Sequence, residues 1–283
     1  MLMMSSRAVP KRVLPGFSLS LGSSLFYTCL ILLLPLSALF VQLAHMTWQQ
    51  HWEIITNSRV LAAYKVTLLA AGCASVFNGI FGMLMAWILT RYDFLGNRLL
   101  DSLIDLPFAL PTAVAGLTLA GIFSATGWYG KWLSLMDIKV SFTWLGIAVA
   151  MAFTSIPFVV RTVQPVLEEL SPEYEEAAET LGASRWQSFS KVVLPEVAPA
   201  LLAGTALAFT RSLGEFGAVI FIAGNIAWKT EATSLIIFMN LEEFDYPAAS
   251  SIASVILLIS LLLLFSINTF QSRFGKRIGG IDV

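Results

Sequence analysis

The chain has 283 residues, 57% of them hydrophobic and only 12% charged, with a formal net charge of −1. Soluble domains carry about 25% charged residues, so a water-soluble globular domain is excluded, in keeping with a mean hydropathy of +0.78. The charge balance gives no basic footprint for nucleic acid.

A membrane helix needs roughly 20 mostly apolar residues to cross the hydrocarbon layer. Six stretches meet this, at about 21–43, 62–90, 103–125, 143–160, 197–223 and 249–270. The expected fold is therefore an all-α membrane protein with six transmembrane helices. Arg7, Lys11 and Arg12 precede the first stretch, as they would in a signal peptide. Its apolar run is longer than a typical signal core and no small-x-small site follows, so it is read as an uncleaved anchor. Cys29 and Cys73 lie within apolar runs and are read as small packing residues. His45 and His51, with no cysteine nearby, are read as polar loop residues. On the second stretch, Gly72, Gly79 and Gly82, with Ala70, Ala74 and Ala86, predict a close helix contact.

Pro107 and Pro111 in the third stretch, and Pro157 in the fourth, remove backbone donors and permit kinks. Such breaks are tolerated in a membrane where neighbours or a cavity satisfy the freed groups. Half-helix N-termini beside a pore would suit an anion, although packing kinks account for the prolines equally well. In the fifth stretch Arg211 and Glu215 are the most deeply placed ionisable pair. Charges at that depth face protein or a water-filled cavity. At i, i+4 they can neutralise each other, or Arg211 can help a dianion pass while Glu215 fixes its side chain. The segment 233–244 is read as interfacial, with an outer gate as one role.

Lys and Arg in the loops set the orientation. Eleven fall on one side, including Arg91, Arg98, Arg161 and Arg185, and five on the other, including Arg59 and Lys229. Both termini are thus expected in the cytoplasm. Trp48, Trp52, Trp128, Trp132, Trp144 and Trp228 fall near the outer ends, and Trp87 near an inner end, as interfacial anchors.

The longest inner loop, 161–196, carries two helix signals. Ser171-Pro172 opens the first and Gly182 stops it. Tyr174, Ala177, Ala178 and Leu181 form one apolar face, opposite Glu173, Glu175, Glu176 and Glu179. The second opens at Ser184, where Gln187 completes a capping box. Its apolar stripe is Trp186, Phe189 and Val193, and Pro195 is expected to end it. A hairpin that shows Tyr174, Trp186 and two alanines to the cytoplasm is expected to dock on a partner.

Glu176-Ala177-Ala178, three residues, Gly182, nine residues, Val192, one residue and Leu194-Pro195 resemble the EAA loop of type I ABC importer permeases. The family pattern is E-A-A-x3-G-x9-I-x-L-P, with valine here in place of isoleucine. That resemblance implies a permease core over 61–270, after a first helix and outer loop within 1–60 and before a cytoplasmic tail at 271–283. It implies a coupling helix seated on a nucleotide-binding subunit through Glu176, Ala177, Ala178 and Gly182, with Leu194-Pro195 setting the entry to the next span. The segments 105–121, 165–189, 211–225 and 243–250 resemble permeases of sulfate and molybdate importers, and most of all the T-type subunits of sulfate/thiosulfate importers. The implied partners are a W-type permease, an ATP-binding cassette ATPase dimer, a periplasmic sulfate/thiosulfate-binding protein and the lipid bilayer of a bacterial inner membrane.

Gly130-Lys131 and Gly275-Lys276 are followed by Trp132 and Arg277, so no phosphate-binding loop is present. The chain is expected to hold no cofactor, with ATP and magnesium on the partner ATPase. A secondary transporter would show several intramembrane acids in two matched halves. A membrane enzyme would show a catalytic constellation in its spans. The sequence shows neither.

Overall fold

The computed structural model describes the backbone of residues 17–278 and the side chains of residues 17–267 and 269. Among these residues there are helices and connecting turns and no strand. Arg7, Lys11 and Arg12 lie outside them. The chain divides into two compact units, Met1–Thr47 and Trp48–Val283.

The first unit holds α1 (Phe17–Ala44), which contains a π-helical turn at Cys29–Leu33 and buries no side chain. Cys29 is exposed on it, as is Cys73 in the second unit, so neither cysteine is the packing residue expected from sequence. Apolar runs do not distinguish a core position from one that faces lipid.

The second unit contains α2 (Trp48–Ile55), α3 (Ser58–Arg91), α4 (Asn97–Ile104), α5 (Leu106–Ala109), α6 (Thr112–Ile122) and α7 (Gly130–Leu135). It continues with α8 (Trp144–Glu169), α9 (Glu173–Thr180), α10 (Arg185–Leu213), α11 (Gly217–Ile222), α12 (Thr233–Glu242) and α13 (Tyr246–Ile278). Among the described residues five helices, α1, α3, α8, α10 and α13, are long and apolar enough to cross a membrane.

The third expected crossing, 103–125, is not one helix. Proline lacks an N–H and pushes the preceding residue out of the helical region. Leu110, before Pro111, is accordingly extended at φ −87°, ψ 136°, and the stretch is split into α4, α5 and α6. The fifth stretch also breaks, at Gly214–Phe216, between α10 and α11. By contrast Pro157 and Pro165 lie inside α8, which runs through both.

The core is built where α3, α8 and α10 converge. Ala70, Ala71, Ala74 and Ala86 of α3 are buried, and Gly82 lets Val159 of α8 approach so closely that a Cβ there would lie 2.8 Å from its Cγ1. A Cβ on Gly204 of α10 would lie 2.9 Å from the Val159 Cα. Small residues on two helices thus admit one valine from the third, the form of packing that membrane helices use in place of hydrophobic segregation. Gly79 takes part against Thr205, but Gly72 has no atom near its missing Cβ and belongs to an open face.

Polar side chains register the same three helices. Asn78 Nδ2 donates to Ser155 Oγ at 2.8 Å and to the Ala152 carbonyl at 3.0 Å, and Ser212 Oγ donates to Ser155 Oγ at 3.2 Å. At the N-terminus of α3, Arg59 Nε donates to Glu231 Oε2 at 2.9 Å, with a second bond from Arg59 Nη2 to Glu231 Oε1. Thr67 Oγ1 accepts from the Thr233 N–H at 2.8 Å. Trp48, Trp52, Trp128, Trp132, Trp144 and Trp228 are all exposed, as interfacial anchors require.

Candidate functional site

The loop after α8 is a helix–turn–helix. Ser171 Oγ accepts from the Glu173 N–H at 3.3 Å, and α9 begins with three glutamates in its first turn, where the helix dipole favours them. Gly182 ends it at φ +86°, a left-handed conformation that glycine adopts without strain. The Ala183 N–H donates to the Ala178 carbonyl at 3.0 Å and the Gly182 N–H to the Glu179 carbonyl at 2.9 Å, the two bonds of a Schellman motif. One turn later the Gln187 N–H donates to Ser184 Oγ at 3.3 Å, and the Ser184 N–H to Gln187 Oε1 at 2.8 Å. The capping box read from sequence is present.

Pro195 does not end the second helix. The Leu194 N–H bonds to the Phe189 carbonyl five residues back, within a π turn at Phe189–Val193. The wider turn accommodates a residue that has no N–H to donate. The same arrangement, a five-residue π turn and then Leu-Pro, precedes Pro35 in α1. As a result α10 is continuous from the hairpin into the crossing.

The apolar face of the hairpin points outward. Tyr174, Leu181 and Trp186 are exposed, Leu181 at 89% and Trp186 at 73%. Glu176, Ala177 and Gly182 are exposed beside them, while Ala178 is half-buried. Underneath, the hairpin is pinned to the end of α3. Arg91 Nη2 lies 2.9 Å from Glu175 Oε1 and donates to the Leu170 carbonyl at 3.1 Å. Trp87 meets Phe189 edge-to-face, with ring centroids 5.2 Å apart. A groove of about 880 Å³ opens between the hairpin and α3, lined by Trp87, Arg91, Glu175, Trp186 and Phe189 among others.

The second cluster lies at the break after α10. Arg211 Nη1 reaches Glu215 Oε2 at 2.8 Å; the Glu215 side chain is buried and the Arg211 side chain is 37% exposed. Glu215 Oε1 accepts from the Ala218 N–H at 3.1 Å, and the Glu215 carbonyl accepts from Ser234 Oγ at 2.9 Å. One carboxylate therefore neutralises an arginine and receives a backbone donor that the broken helix leaves free. The start of α6, just after Pro111, comes close to this break, since a Cβ on Gly217 would lie 2.1 Å from Thr112 Oγ1 and 3.2 Å from the Ala113 nitrogen. Pro107 does not join it; it is buried at the start of α5.

Residues 78–280 match the family described as binding-protein-dependent transport system inner membrane component. The chain belongs to this family. It is 78% identical over 270 residues to the sulfate transport system permease protein CysT of Escherichia coli K12, covering 95% of this chain and 98% of that one. The corresponding protein of Salmonella typhimurium is 75% identical over 280 residues, covering 99% of this chain and 100% of the relative. The fold is that of a chain from a bacterial ABC transporter involved in the import of the acidic polysaccharide alginate, at 18% identity and a TM-score of 0.71, covering 91% and 95% of the two chains. A second structure, of a bacterial alginate ABC transporter in complex with alginate pentasaccharide-bound periplasmic protein, matches with a TM-score of 0.74 at 17% identity over 94% and 96% of the two chains.

In this multi-pass permease Tyr174, Glu176, Ala177, Ala178, Gly182 and Trp186, the residues expected to dock, share one hairpin, and Leu194 and Pro195 lie in the helix that leaves it. Three contributions are not legible in the sequence: the Arg91 anchor, the polar ladder at Ser155, and Arg161, whose guanidinium donates to the carboxylates of Asp101 and Asp105. In the sequence Arg91 and Arg161 stand only as positive charges of the loops. An acid four residues from another acid, Asp101 and Asp105, was the one local signal for the last of these.

Proposed function

We propose that the chain is the sulfate- and thiosulfate-translocating permease subunit of an ATP-driven importer, with the hairpin receiving the motion of a separate ATPase. The observation that carries this reading is the hairpin itself: a capped, acidic-N-terminal helix whose Tyr174, Leu181 and Trp186 stand in water unless a partner covers them. Leaving that much apolar surface exposed is unfavourable, at roughly 25 cal/mol per Å². The continuity of α10 through the π turn gives a stiff connection from the docking face to the crossing. The near full-length similarity to sulfate permeases supports sulfate as the solute.

On this reading a W-type permease completes the pathway, a periplasmic binding protein delivers the anion, and both termini face the cytoplasm. ATP and magnesium are bound by the ATPase, and this chain catalyses no reaction. Within the pathway, the half-exposed Arg211 side chain offers the passing anion a positive charge, with Glu215 holding its orientation. Pro111 opens the α6 half-helix beside it.

Deleting the subunit should abolish sulfate uptake by cells and restoring it should return uptake. Uptake of molybdate in place of sulfate by the restored cells would reassign the solute. Transport by the purified subunit alone in vesicles would refute the dependence on an ATPase.

A further inference from the structure

We propose that Arg161 is a positioning residue that makes α4 and α5 travel with α8, so that a push on the hairpin reaches the interrupted third crossing. This rests on the transport reading above.

Arg161 Nε donates to Asp105 Oδ1 at 2.9 Å and Nη2 to Asp105 Oδ2 at 2.7 Å, a bidentate pair. Nη2 also donates to the Asp101 carbonyl at 2.9 Å. Nη1 donates to Asp101 Oδ1 at 2.6 Å and to Gln164 Oε1 at 2.7 Å. A guanidinium has five N–H donors in a rigid fork, and each of the five is engaged. Lysine, a point charge on a flexible stem, cannot reproduce the arrangement.

The three charged side chains are partly exposed, and pairs of that kind add little to stability. Four simultaneous bonds to Asp101 in α4 and to Asp105 at its C-terminal end, with the fifth to Gln164 of α8 itself, instead set the orientation of α4. Asp101 and Asp105 repel at i, i+4, and Arg161 between them offsets this. The rest of α4 is held at a few points: Ile104 is buried, Leu100 packs on the core and Asn97 Nδ2 donates to the Leu89 and Tyr92 carbonyls, while Leu99 and Leu103 are exposed. The pair α4 and α5 is bounded by Gly96 at φ +103° and the extended Leu110.

The clasp lies midway along a continuous series of contacts. On one side α8 is followed by Leu170, which Arg91 ties to Glu175 of the hairpin. On the other, α4 and α5 lead through Pro111 into α6, whose Gly116 is so near α11 that a Cβ there would lie 2.3 Å from the Ala218 carbonyl oxygen. The Ala218 N–H is the donor to Glu215, the partner of Arg211. Backbone-to-backbone contact of this kind passes on displacement with little give, and among the described residues Arg161 is the one polar link that joins α8 to the third crossing, beside the edge-to-face contact of Phe158 with Phe108.

The test is the whole importer in proteoliposomes, with sulfate uptake and ATP hydrolysis measured together for wild type, R161Q, R161K and D105N. Hydrolysis is expected to persist in R161Q and D105N while uptake per ATP falls about fivefold or more. R161K should lie between, and R161Q/D105N should be no worse than either single variant, because each removes the same link. An unchanged ratio in R161Q overturns the proposal. Failure of both R161Q and D105N to assemble also overturns it, since the clasp would then serve folding alone. A wild-type importer with no sulfate uptake defeats the transport reading itself, a different result from an unchanged ratio in R161Q.

Discussion

Arg211 and Glu215 pair at 2.8 Å with unequal exposure, the Glu215 side chain buried and the Arg211 side chain partly exposed. Removing the arginine leaves a buried charge without its counter-ion, whereas removing the acid leaves an arginine that still reaches solvent. Arg211→Gln should therefore destabilise more than Glu215→Gln, by an amount on the order of 1–3 kcal/mol. Thermal unfolding of the purified complex checks this. In transport, Arg211→Gln should lower uptake in an assembled complex. Unchanged uptake would leave the pair a structural one only.

Gly182 occupies a left-handed conformation with open space around its missing Cβ, so a substitution there meets strain in the backbone rather than a clash. Gly182→Asp should insert normally in the membrane yet lose co-purification with the ATPase. Gly182→Asn, a residue that tolerates this conformation, should retain most of it. Glu176→Lys should also lose it, because it reverses a charge in the first turn of α9. Full retention in both Gly182→Asp and Glu176→Lys would count against the hairpin as the docking element.

Gly116 and Gly72 make a controlled comparison. A Cβ on Gly116 meets the backbone of Ala218, so Gly116→Ala must push α6 and α11 apart. The expected loss is about 1–3 kcal/mol, as for other overpacked sites. Gly72→Ala meets nothing and should be neutral or stabilising by about 0.5–1 kcal/mol, through better helix propensity. Denaturation midpoints of the two variants should move in opposite directions, or only that of Gly116→Ala should move.

Phe189 fastens the hairpin to α3 by its edge-to-face contact with Trp87. Such pairs contribute about 0.5–1.5 kcal/mol beyond the area they bury. Phe189→Ala should therefore speed amide hydrogen exchange in α9 and in the π turn, with α8 unaffected. Equal acceleration along α8 would show that the hairpin and α8 open as one unit.

Local signals were strongest where the chain answers to a single rule. A run of apolar residues reports a crossing, and four of the six expected stretches lie in helices of crossing length at nearly their expected places or longer. The Ser184–Gln187 box and the Gly182 stop are set by atoms within a few residues of one another, so they were legible without the fold. Pro195 misled because a proline's effect depends on whether the preceding turn can widen, which the residue itself does not announce. Gly72 and Cys73 misled because the bilayer makes outer faces as apolar as inner ones, and composition then carries no direction.

Residue order alone is enough to show that this chain is an all-helical membrane protein, how its charged loops are distributed, and where its capped hairpin lies. Only the tertiary structure decided that the third and fifth stretches break and meet at Thr112 and Gly217, that Val159 lies between Gly82 and Gly204, and that Arg161 clasps Asp101 and Asp105. Periodicity and capping are properties of neighbours along the chain. Which charges pair across 56 or 60 residues depends on how helices pack, and that is settled by the shapes of many side chains together.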